Sequence, residues 1–161
     1  WSQLVQLKNI VLHKMKADSA ISINERITVT PLLVPHRHEF TETVGFRITW
    51  PGKSILFIPD IDKWAKWNHD ILHAIEEHDL LLIDGTFFDD GELSGRSMSE
   101  IPHPFIKESM QLFDTLSPGQ KSKIWFIHLN HSNPALITGS AAQKEIESKG
   151  YHVAVQAQVI K

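Results

Sequence analysis

The stretch KSILFIPDID, residues 53–62, decides how this chain folds. A short apolar run, ILFIP, stops on Asp60, and a second carboxylate, Asp62, follows two positions on. Upstream lies VGFRITW, residues 44–50, in which Val44, Phe46, Ile48 and Trp50 alternate with smaller or polar residues. That period of two marks a strand with one buried face. Pro51-Gly52 between the two runs is a turn signal, so residues 44–59 read as a β-hairpin. Downstream, Trp64, Trp67, Ile71 and Ile75 repeat at helical spacing. This predicts one helix over residues 62–78 with Asp62 as its N-cap. DLLLID, residues 79–84, is then a short strand covered on both faces.

The same alternation continues outward. Pro104 suits the first turn of a second helix with Ile106, Met110 and Phe113 on its inner face. KIWFIHL, residues 123–129, reads as a buried strand. Ser140 with Gln143 fits a capping box, and Gly150 fits the end of that third helix. YHVAVQAQVI, residues 151–160, closes the chain as a strand. Towards the start, ISI at 21–23 and RITVTPLLV at 26–34 are rich in β-branched and aliphatic residues. Strands come first and strand–helix–strand units follow. The expected class is α/β (α+β), a single domain over residues 1–161 with a mixed sheet and helices on one face. DDGELSGRSMSE, residues 89–100, is the one long polar loop, a length often found in functional or mobile loops.

Composition narrows the chemistry. The 161 residues are 42% hydrophobic and 22% charged, as in globular domains, and can enclose a sizeable core. A net charge of −3 argues against a broad nucleic-acid or anionic-membrane surface, so neither partner is expected. With no cysteine there is no disulfide framework and no thiolate site. Any metal must be held by His, Asp or Glu, which suits zinc, manganese or iron. No run approaches the ~20 apolar residues of a membrane span, and the first residues do not resemble a signal peptide. A cytoplasmic location is expected.

Ten histidines make their placement the next question. LLVP leads to His36, ILFIP to Asp60, LLLI to Asp84 and KIWFI to His128. Ligand sites of open α/β sheets lie beyond the strand ends, where these four residues fall. The competing explanation is that strands end where polarity begins. His36 and His38 share a side of an extended chain. His128 and His131 lie three apart in HLNHSNP. His103, between two prolines, sits at the expected start of a helix, whose N-terminus disfavours imidazolium and would keep the ring neutral. The five tryptophans read as core residues rather than ligand stackers. No G-x-G-x-x-G, P-loop or G-x-S-x-G motif is present.

Taken together, VPHRHEFTETVGFRI, LFIPDID, LLIDGTF, IPHP and FIHLNHSNP resemble the metallo-β-lactamase superfamily in order and spacing over residues 29–134. The likeness is greatest to its pyrroloquinoline-quinone biosynthesis branch and smaller to the phosphodiesterase and ribonuclease Z branches. The resemblance implies an αββα sandwich with a metal site at one edge. It implies metal ligands at His36, Asp60 and His128, with Asp60 bridging two ions. Asp60 and His103 become the catalytic pair, His103 serving proton transfer. His38, Asp84 and His131 take supporting or substrate-facing positions. The implied cofactor is zinc, two ions in the complete protein, with manganese or iron as alternatives.

One feature of the superfamily, H-x-H-x-D-H, does not occur in this sequence. The expectation is therefore the C-terminal half of a sandwich, lacking its N-terminal part and inactive alone. The partners expected are a small-molecule substrate and the upstream half of the same domain, with a homodimer left open. The main functional expectation is a hydrolase that acts on a small ester or phosphodiester through a metal-activated water. A metal-dependent oxidative enzyme of pyrroloquinoline-quinone biosynthesis is the alternative. A non-catalytic metal-binding or interaction module is the third reading.

Overall fold

Seven strands form a single sheet in chain order in the computed structural model, which describes residues 1–37, 41–93 and 101–160. The strands are β1 (Ile21–Ser22), β2 (Thr28–Leu33), β3 (Val44–Trp50), β4 (Lys53–Ile58), β5 (Leu80–Asp84), β6 (Ile124–Ile127) and β7 (His152–Val153). Pairing is antiparallel from β1 to β4 and parallel from β4 to β7. The β3–β4 hairpin forms as its alternation predicts, closed by Trp50 opposite Lys53. Gly52 occupies the turn at φ +76°, a conformation that side chains resist. Because β2 and β4 are both antiparallel to β3, they run the same way, as do β5 and β6. The segments leaving β2, β4, β5 and β6 therefore emerge at one edge of the sheet.

The helices are α1 (Ser2–Gln6), α2 (Ile71–Glu77), α3 (Ile106–Leu112), α4 (Pro118–Lys121) and α5 (Ala141–Ser148). Ile75, Ile106, Phe113 and Ile146 join Leu56, Ile58, Leu81, Ile83, Ile124 and Phe126 in one core, each fully buried. The alternate strand residues Ile55, Phe57, Leu80, Leu82, Trp125 and Ile127 face the other way and are only partly buried. One face of the sheet thus carries helices, as expected, and the other presents apolar side chains. Among the described residues no helix is long and apolar enough to cross a membrane.

Three expectations need correction. The single helix over 62–78 is instead a 3-10 turn, Trp64–Lys66, followed by α2 capped by Asp70, which accepts from the Leu72 amide at 2.9 Å. Trp67 adopts an extended backbone between them while its indole donates to the Leu33 carbonyl at 2.9 Å. That bond ties the segment after β4 to the end of β2, and a continuous helix would break it. Asp62 consequently caps no helix. The second helix starts after Pro104, with Phe105 as N-cap. The Ile106 and Lys107 amides donate to the carbonyls of Phe87 and Phe88, which docks the helix start on the segment after β5. Finally, the last strand pairs only at His152–Val153. The Gln158 side chain accepts from the Val155 amide at 3.1 Å, a local bond that turns the chain away. Residues 94–100 of the long polar loop lie outside the described residues.

Gly85 begins the segment after β5. A Cβ there would lie 2.9 Å from Phe126 Cβ and 3.1 Å from the Ile127 carbonyl oxygen. Gly85→Ala is expected to lower stability by about 1–3 kcal/mol. Urea unfolding followed by tryptophan fluorescence checks it, and a midpoint unchanged from wild type refutes the close packing.

Candidate metal centre

Asp84 is the last residue of β5 and is fully buried. A buried carboxylate needs donors on every side, and three arrive from different segments. The Ile61 amide, just beyond β4, donates to Oδ2 at 3.0 Å. The Thr86 amide donates to Oδ1 at 2.8 Å. His103 Nδ1–H donates to Oδ2 at 2.8 Å. This one side chain therefore joins the ends of two parallel strands to the segment before α3.

Asp60 stands next to it. Its Oδ1 lies 3.5 Å from His103 Nδ1, and its Oδ2 lies 3.4 Å from His36 Nε2. Oδ1 is buried and makes no hydrogen bond among the described residues. His36 Nδ1 donates to Asp62 Oδ1 at 3.1 Å, and Lys66 holds the other Asp62 oxygen at 3.2 Å. With Nδ1 so engaged, Nε2 is the His36 nitrogen left to face Asp60. The two imidazole rings are 5.6 Å apart.

Asp60, Asp84 and His103 each offer a ligand atom, and these atoms lie within 4.8 Å of one another. The unpartnered Asp60 oxygen aimed into this group is the polar defect that a cation would remove. Two carboxylates and an imidazole suit zinc, manganese or iron. The residues present therefore fit a divalent ion.

Burial works to lower the His103 pKa. The hydrogen bond and charge of Asp84, aided by the charges of Asp60 and Asp62, outweigh it, and the pKa is raised above the ordinary histidine value. This corrects the expectation of a ring held neutral by a helix N-terminus: the ring precedes the helix and answers to Asp84. A proton at Nδ1 and a cation among the three residues compete for the same place.

The other candidates fall as follows. His128 is exposed, adopts φ +60°, and puts Nδ1 3.2 Å from the Thr86 hydroxyl, outside the three-residue group. His131 is exposed on the turn that follows. His38 lies outside the described residues. Asp62, which orients His36, is a site residue that sequence reasoning took for a helix cap. Asn133 and Glu92 were also missed. Buried Asn133 donates to the Gly85 carbonyl at 2.8 Å while accepting from the Ala135 amide at 2.9 Å. Glu92 accepts from the amides of Phe88 and Asp89 and from the Ser132 hydroxyl, which staples the segment after β5 to the segment after β6. Asn133 before a proline carried a cap signal, whereas Glu92 carried none.

Comparison with known proteins shows the family and the fold. A family model described as the beta-lactamase superfamily domain matches residues 2–129. Coenzyme PQQ synthesis protein B of Gluconobacter oxydans (strain 621H) is 31% identical over 118 residues, covering 70% of this chain and 38% of that protein. The protein of the same name from Ruegeria pomeroyi is 31% identical over 121 residues, covering 70% and 39%. That from Acinetobacter baumannii (strain ACICU) is 25% identical over 161 residues, covering 88% and 52%. The solved structure of Zn(2+)-bound PqqB from Methylobacterium extorquens shares the fold, with a TM-score of 0.67 and 24% identity over 91% of this chain and 51% of that one. The chain thus spans about two fifths to one half of the length of these relatives.

Asp84→Asn keeps the shape of the side chain and removes its charge. In the metal-free protein the His103 pKa is expected to fall below its wild-type position, because burial then acts with less opposition. The raised wild-type pKa stabilises the metal-free fold fully below pH ~6.5, and that contribution is lost as pH rises through the folded pKa. Imidazole NMR titration checks the shift, and a His103 pKa equal in the two proteins refutes the role given to Asp84.

Proposed function

The chain belongs to the β-lactamase superfamily, and from that premise we propose that it forms one side of the metal centre of an enzyme of pyrroloquinoline-quinone biosynthesis that performs metal-dependent oxidative chemistry. The observation that carries the metal is the buried Asp60 oxygen left without a partner beside Asp84 and His103. The pathway is supported by the shared name of the curated relatives, coenzyme PQQ synthesis protein B. This reading follows the alternative raised from sequence more than the hydrolase.

Asp60, Asp84 and His103 would hold the ion, with His36 and His128 as further donors. A redox-active ion such as iron would supply the oxidative step when bound, which zinc would not. The protein's own part is positional. Without the ion, Asp84 fixes the His103 ring through Nδ1; with the ion in that place His103 would serve as a ligand. Asp62 holds His36 by Nδ1, so that its Nε2 is committed to the centre. The remaining donors and the cover over the open sheet face are proposed to come from the upstream half of the same domain. The partly buried apolar side chains of that face and the greater length of the relatives support this.

A hydrolytic reading, with a metal-activated water acting on a small ester or phosphodiester, keeps one specific support. The solved relative carries Zn(2+), whose chemistry is not redox.

The test uses the full polypeptide that carries this chain, expressed in a bacterium deleted for coenzyme PQQ synthesis protein B. Restored quinone production is expected, with loss of at least about tenfold for Asp60→Ala, since one ligand of the centre is gone. Full metal occupancy, no quinone, and zinc-dependent hydrolysis of bis(p-nitrophenyl) phosphate would transfer the assignment to the hydrolase.

A further inference from the structure

We infer that the substrate is a compact molecule whose apolar body carries one anionic group, carboxylate or phosphate, and that Arg37 is the residue that reads the anion. The inference rests on the metal-site reading for its location and on a neighbouring cavity for its chemistry. That cavity has a volume of about 250 Å3. His36 and His103 form the part next to the carboxylates, Phe87, Leu93, Ile101 and Pro102 supply apolar lining, and Arg37 completes it.

The apolar lining is not an outcrop of the main core. Phe87, Ile101 and Phe105 form a second, separate buried cluster, with Leu93 packed on it. Phe87 meets the His103 ring edge-on, at 6.0 Å between centroids. A dedicated apolar surface beside a polar centre is what a ligand with an apolar body requires. Among the described residues of this lining Arg37 is the one permanently charged cation, and it follows His36 directly in the chain. In the metal-free chain Asp60, Asp62 and Asp84 at the other end repel an anion, which directs the anionic group to Arg37. An ion among Asp60, Asp84 and His103 would offset their charge and leave Arg37 as the cation that the described lining itself supplies. A guanidinium fork matches a carboxylate or phosphate through two parallel hydrogen bonds, which a neutral amide cannot reproduce. The volume lies below the roughly 300–1,000 Å3 common for small-molecule sites, so it admits about one ring.

Benzoate, phenylphosphonate and benzamide share one ring and differ in charge. Each is titrated into the whole chain and into Arg37→Gln, with the Ile101 methyl and His103 ring resonances as readout. Arg37 is exposed, so the substitution leaves the core untouched. At least one anion is expected to bind wild type about tenfold or more tightly than benzamide does, and Arg37→Gln to abolish that preference. Equal binding of anions and amide, or an anion preference retained in Arg37→Gln, overturns the inference. A separate zinc titration of the wild-type chain keeps the two readings apart. Zinc binding without anion preference overturns this inference alone, and anion preference without zinc binding overturns the metal centre alone.

Discussion

The carboxylate of Asp84 is the constraint on which the site depends. It is fully buried, and its three donors come from the segments after β4, after β5 and before α3. Burying a carboxylate is tolerated only when its lone pairs are matched, and stripping one partner from a buried charged pair costs about 3–5 kcal/mol. The requirement runs both ways. Asp84 needs the three segments in register, and the segments are held in register by Asp84. Asp60 sits next to the Ile61 amide in the chain, so the same bond that satisfies Asp84 also sets where Asp60 stands.

The sheet supplies the frame for that bond. A strand order that follows chain order, antiparallel for three steps and parallel for three, sends β2, β4, β5 and β6 to one edge. His36, Asp60, Asp84 and His128 lie at or just past those ends. Two further ties tighten the edge. The Trp67 indole binds the end of β2 to the segment after β4, and Asn133 and Glu92 bind the segments after β5 and β6. The fold thus places donors from distant parts of the sequence within a few ångströms while leaving the far face of the sheet apolar.

Much of this was legible in the sequence. The hairpin, the parallel strands and the arrival of His36, Asp60 and Asp84 at strand ends follow from periodicity and turn residues, which act locally. What was not legible depends on contacts between distant segments. Helical spacing from Trp64 to Ile75 is real, yet Trp67 leaves the helix to reach Leu33, and no local signal announces that. Asp62 reads as a cap because an Asp before an apolar-periodic stretch usually is one; its partner His36 lies 26 residues away. The charge preference of His103 was misjudged for the same reason. The helix was visible in sequence and Asp84, nineteen residues away, was not visible as its partner.

Three residues that break local rules lie at one edge of the sheet. Asp60 leaves a buried oxygen unpaired, Asp84 buries a carboxylate completely, and His128 takes a left-handed backbone conformation that only a minority of non-glycine residues adopt. Each of these carries an energetic cost in the isolated fold. A chain selected for stability alone would remove them one by one, since an amide at Asp60 or a glycine at His128 would relieve them. Many local choices elsewhere agree with the fold: Gly52 at the hairpin turn, Asp70 and Ser140 as caps, and apolar side chains in the core. Single departures occur elsewhere, at the unpaired Arg47 Nε and at the left-handed Lys8, Asp18 and Ala157, but this edge joins a fully buried carboxylate to an unpaired carboxylate oxygen, and that pairing marks it as the edge where selection acted for chemistry. The unpaired Asp60 oxygen is the sharpest of them, because a cation among Asp60, Asp84 and His103 would turn its cost into binding energy.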